Sequence, residues 1–146
     1  MLADQLKILL GTTFVLYTKM HGMHFNVEGP NFPQYHELLN KFYSATYETI
    51  DKIGEYIRSL DSYAPGSLAR MIELSIIEEQ PKIPRADLML SELLLDHTKI
   101  LQLIRQVFDL ATAQNEQGIA NYMAELQDMY SKNNWMLKAT LNKARA

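Results

Sequence analysis

The sequence predicts an all-α protein, a bundle of four long helices with one long crossover between the second and the third. Three observations predict it. Apolar residues recur at i, i+3 and i+4 through four stretches of similar length. The chain has only six glycines and five prolines, and most of them cluster at the breaks between those stretches. No stretch alternates polar and apolar residues with the period of a strand.

The first helix is expected from about Asp4 to Val27, with Leu2, Leu6, Leu9, Leu10, Phe14, Tyr17, Met20, His21 and His24 on one stripe. Gly29-Pro30 and Pro33 break it from a second helix, from about Phe32 to Leu60, whose apolar face carries Leu39, Phe42, Tyr43, Ile50, Ile53, Ile57 and Leu60. The connection from Asp61 to Ile83 is long and holds its own apolar piece, Leu68, Met71, Ile72 and Leu74 to Ile77, read as one short helix. The third long helix is expected from about Arg85 to Thr112, with Pro84 near its first turn. Asn115 to Gly118 separate it from the fourth, from about Glu116 to Asn142. At 1.5 Å per residue each long helix spans about 36–42 Å. Two short connections make two antiparallel hairpins, and the long middle one carries the chain to the far end of the bundle, a single-crossover topology.

Composition narrows the function. The 146 residues read as a single domain, 1–146. Fourteen basic and seventeen acidic side chains leave a net charge of −3, which argues against a whole-surface nucleic-acid binder. The absence of cysteine excludes disulfides, thiolate nucleophiles and Cys-ligated metal centres. No apolar run reaches the roughly 18 residues of a membrane span. Met1-Leu2-Ala3-Asp4-Gln5 does not read as a signal peptide, so a cytoplasmic protein is expected.

The candidate chemistry lies on the first two helices. His21 and His24 share a helix face, and as a pair on an apolar face they also suit a core or an interface. If the turn centres near Gly29-Pro30, His24 and His36 are equally far from it and face each other. Counting from His36 at about 100° per residue, Asn40, Tyr47, Asp51 and Glu55 fall within one polar stripe. Asp51 and Glu55, four apart, can grip one cation, although such a pair is more often a solvated acidic flank. His36 and Asp51 are about 22 Å apart along the helix, so they cannot hold one ion within one chain. An antiparallel two-fold partner, crossing at the small residues Ser44 and Ala45, brings His36 of one chain to Asp51 and Glu55 of the other. Two imidazoles with two carboxylates suit iron(II), zinc or manganese.

The stretch Lys19 to Leu60, KMHGMHFNVEGPNFPQYHELLNKFYSATYETIDKIGEYIRSL, resembles the Dps miniferritins, ferritin-like proteins that protect DNA during starvation. Their pattern is K-x-H-x-x-H-W-N-V-x-G-x-x-F, then H-E-x-x-D, then D-x-x-x-E. The resemblance implies a ferritin-like four-helix bundle with a short extra helix at a dimer interface, assembled into a hollow dodecamer built from two-fold dimers. It implies a ferroxidase with His24, His36, Asp51 and Glu55 as iron ligands, the histidines from one subunit and the carboxylates from its partner. Iron(II) would be oxidised by hydrogen peroxide or oxygen and stored as ferric iron, with other divalent metals such as zinc as possible occupants.

Two residues depart from the pattern: Asn40 stands for its aspartate, as a weak or indirect ligand, and Phe25 for its tryptophan. A cage with weakened or lost oxidation, acting in structural or DNA-protective binding, is the alternative that Asn40 raises. No lysine-rich stretch stands ahead of the first helix, and Lys138, Lys143 and Arg145 are few, so DNA binding is not expected. Glu116, Glu125 and Asp128 are candidates for lining acidic pores. The other tyrosines and methionines and Trp135 are expected to be packing residues, and His97 a surface or interface residue.

Overall fold

The computed structural model describes residues 1–142; Lys143 and Arg145 lie outside the described residues. Five helices follow one another: α1 (Leu2–Asn26), α2 (Phe32–Ser59), α3 (Leu68–Leu74), α4 (Ala86–Ala113) and α5 (Gln117–Leu141). The boundaries follow local chemistry. Gly29 turns the α1–α2 hairpin at φ +120°, where a side chain would be strained. Both α2 and α4 close on a left-handed residue, Asp61 (φ 61°) and Asn115 (φ 60°). The next amide bonds back to the carbonyl of Ile57 in one case and of Ala111 in the other, the paired capping pattern that satisfies terminal carbonyls. Pro84 lies just outside α4, because Arg85 is the capping residue and Ala86 the first helical one. Ser67 caps α3 by accepting from the Arg70 amide.

The crossover runs from the foot of α2 back to the α1–α2 turn, so α4 starts where α2 starts. A groove there is lined by Gly29 and Pro30 from the turn, Arg85 and Asp87 from the start of α4, and Leu141 from the end of α5. On the way α3 lies against α1 at Gly11. A Cβ on Gly11 would stand 2.6 Å from the Met71 carbonyl oxygen, so only glycine permits this approach. The Thr12 hydroxyl then accepts from the Ile76 amide at 3.1 Å and ends the helix run before Ile76 and Ile77 can join it. Higher up, the buried Lys19 ammonium binds Asp96 at 2.6 Å and Glu92 at 3.1 Å, and Gln80 of the crossover donates to Glu92 at 3.0 Å. Burial pushes the Asp96 carboxyl up, and the Lys19 ammonium pulls the other way.

The four long helices bury one core, with Leu16 and Met20, Leu39 and Phe42, Leu93 and Ile104, and Met123 and Leu137 among its members. His97 belongs to this core and not to the surface. It is 0% exposed, its Nδ1–H donates to the Leu93 carbonyl at 2.7 Å, and desolvation pushes its pKa down to about 4. Its place in the i, i+4 stripe between Leu93 and Leu101 outweighs its polarity. Trp135, by contrast, is 64% exposed on α5, and Tyr47 and Tyr63 are also exposed, so these aromatic residues are not core packing within the chain. Among the described residues no helix is long and apolar enough to cross a membrane.

Candidate metal centre

The α1–α2 hairpin places His24 beside His36. Their rings stack with centroids 3.7 Å apart and planes 15° apart. The Nδ1 of each lies 2.8 Å from the main-chain carbonyl oxygen of the other. A carbonyl oxygen can only accept, so each Nδ1 carries the proton and each unshared pair sits on Nε2. A metal-binding histidine needs this tautomer, fixed by this kind of contact.

Next to the pair stands an aromatic wall. Tyr43 meets His24 edge-on at 5.1 Å and stacks on His21 at 3.9 Å, and the Tyr17 hydroxyl lies 2.8 Å from His21 Nδ1. Phe25 and Phe32 flank the histidines and stay exposed, as does Tyr47 on the same wall.

Asp51 and Glu55 are exposed on α2 and close to each other. Glu55 is pushed above the ordinary glutamate value, first by its hydrogen bond with Asp51 and then by that neighbour's charge. Two like charges this close repel each other, and a cation bound between them would relieve the repulsion. They border an open groove of about 270 Å³ with Leu10, Gly54, Pro65 and Met71 on its walls. Beside it α3 leaves Leu68 and Ile72 in solvent.

The structure therefore pairs His24 with His36 and Asp51 with Glu55, but it does not bring the two pairs together. Among the described residues no three histidines or acids of the chain gather into one metal-sized group. Asn40 is half-buried one turn beyond His36. The Lys19–Asp96 pair and the Tyr17–His21 contact were missed by the sequence reading. A lysine at a core-facing position between Leu16 and Met23 was the available signal for the first. Only the fold could show the second, since Tyr17 and His21 read as two more members of an apolar stripe.

The ferritin-like domain family matches residues 3–146. The DNA protection during starvation protein of Brevibacillus brevis is 29% identical over 127 residues, 87% of this chain and 85% of that protein. The crystal structure of Dps from Staphylococcus aureus superposes with a TM-score of 0.93 at 28% identity, over 97% of this chain and 95% of that one. The chain belongs to the Dps family of ferritin-like proteins. Another similar structure is the Dps protein of Vibrio cholerae O1, described as a member of a broad superfamily of ferritin-like diiron-carboxylate proteins. It has a TM-score of 0.93 at 25% identity, over 97% of this chain and 89% of that one. The Dps fold accounts for the long crossover and its α3.

Proposed function

We propose that this Dps protein is a ferroxidase that binds iron(II), oxidises it with hydrogen peroxide or oxygen, and stores the ferric product in a hollow dodecamer in the cytoplasm. The observation that carries the proposal is the reciprocal anchoring of His24 and His36, which holds two Nε2 donors ready at 3.7 Å between ring centres. Two neutral imidazoles alone do little for a hard dication. Asp51 of the partner subunit and Glu55 of the partner subunit complete the set and supply the negative charge. Each half of such a site is flanked by apolar side chains left in water by the single chain, Phe25 and Phe32 at one and Leu68 and Ile72 at the other. A two-fold contact covers both flanks at once and repeats the site at its symmetry mate. Zinc suits the same nitrogen and oxygen donors.

Asn40 offers a neutral amide oxygen where a carboxylate would attract a second ion. The site accordingly holds one iron firmly, and slower oxidation in an intact cage is the second reading that Asn40 favours. DNA binding is not part of the proposal. Iron(II) added without oxygen and then treated with peroxide should yield a ferric absorbance well above that of free iron. Light scattering after size exclusion should show a dodecamer. An absorbance no greater than that of free iron, or a monomer at micromolar concentration, refutes the proposal.

A further inference from the structure

A hydrogen-bonded tyrosine–imidazole pair stands one ring away from the histidine pair. The Tyr17 hydroxyl and His21 Nδ1 are 2.8 Å apart. His21 stacks on Tyr43 at 3.9 Å and 8°, and Tyr43 meets His24 at 5.1 Å. His21 and His24 are themselves 6.1 Å apart, so rings in contact join Tyr17 to the metal-binding pair without a gap. Oxidising a phenol while it keeps its proton leaves a strongly acidic cation. A base in contact with the hydroxyl removes that obstacle, and His21 Nδ1 is such a base in the tautomer that carries its proton on Nε2. Tyr17 is half-buried, which shelters it from bulk reductants.

Hydrogen peroxide takes two electrons, and a site that holds one iron(II) supplies one. We propose that Tyr17 supplies the other, with His21 as its proton acceptor. The proposal rests on the ferroxidase reading above.

In this step iron(II) is oxidised to iron(III), and Tyr17 loses one electron through the ring contacts while its phenolic proton passes to His21. The peroxide O–O bond breaks as it takes up both electrons and two protons from solvent, giving two waters. A second iron(II) then reduces the tyrosyl radical, and His21 returns the proton to the phenol. Over the whole cycle two iron(II), one peroxide and two protons give two iron(III) and two waters. Tyr17 thus lets a one-iron site reduce peroxide fully, with no hydroxyl radical released.

The test is rapid-freeze electron paramagnetic resonance on the assembled protein loaded with iron(II) without oxygen and mixed with peroxide, with ferric absorbance followed in parallel. A tyrosyl signal is expected that narrows when the protein carries ring-deuterated tyrosine. Tyr17→Phe should reduce it to background and slow ferric formation without abolishing it. His21→Gln, which keeps a polar contact but no base, should weaken the signal, and Tyr122→Phe at the far end of the bundle should leave it unchanged. Ferric product with no tyrosyl signal, or a signal that survives Tyr17→Phe, overturns the proposal and leaves the ferroxidase reading standing. Absence of both product and radical overturns the two together.

Discussion

Acid should loosen this fold through His97. The imidazole is 0% exposed and its Nε2 has no hydrogen-bond partner among the described residues, so a proton there would be a bare charge in the core. Burial accordingly pushes the pKa down from 6.5 to about 4. A depressed value in the fold means that the unfolded chain takes up the proton first. Stability from this group is complete above the unfolded value and drains away as the pH falls toward the folded one. Over the whole interval the loss is ~3 kcal/mol per subunit, and by pH 5 it already reaches ~2 kcal/mol. Carboxylates titrate in the same range, so the measurement is a difference. Urea unfolding of the wild type and of His97→Met is compared at pH 7 and pH 5. The substitution has its own cost at both pH values, which cancels when the two pH steps are subtracted. The wild type should lose ~2 kcal/mol more than the variant on acidification. Equal losses in the two proteins would show that His97 is not the group that senses acid.

Three further outcomes follow from particular contacts. Lys19→Met leaves Asp96 buried beside Glu92 without its ion-pair partner, with only the Lys99 charge still acting on it, and should cost ~3 kcal/mol in chemical unfolding, whereas a cost under ~1 kcal/mol would mean that water reaches the pair. Gly11→Ala should release α3 more than it weakens α1, since the added methyl meets the Met71 carbonyl at 2.6 Å; hydrogen exchange should rise at residues 68–77 before the rest of the chain responds. If the proposed ferroxidase site takes His36 from one chain and Asp51 from the other, a mixed dimer of one His36→Ala chain and one Asp51→Ala chain should keep half of the wild-type iron oxidation, because both defects fall in one of its two sites; complete loss would place each site within one chain.

The four long helices, their two hairpins and the crossover were legible because each depends on local chemistry: an apolar repeat, a glycine or proline break, a left-handed capping residue. The long helices shifted by at most two residues at an end, where α1 begins at Leu2 instead of Asp4 and α2 stops at Ser59 instead of Leu60. The opposition of His24 and His36 was legible because hairpin symmetry is arithmetic. What the arithmetic could not supply was the hydrogen bonding, which depends on main-chain carbonyls that the sequence does not name. His97 was misplaced because polarity was weighed above its position in the stripe between Leu93 and Leu101. Trp135 was expected to be a packing residue, but its position on α5 leaves it 64% exposed in the single chain.

The interlocked histidines have a consequence for the turn that joins them. Surface turns usually tolerate an added or missing residue, since little depends on their length. Here each ring is anchored on the backbone of the other helix, so α1 and α2 must keep their relative height. An insertion between Val27 and Asn31 that moved α1 by one helical position against α2 would offset the two helices by about 1.5 Å and turn one by about 100° relative to the other. Both anchoring bonds would break together, and both Nε2 atoms would lose their aim. The length of the α1–α2 turn therefore bears on the proposed metal site, and a change of register there would disable it while leaving every proposed ligand in the sequence.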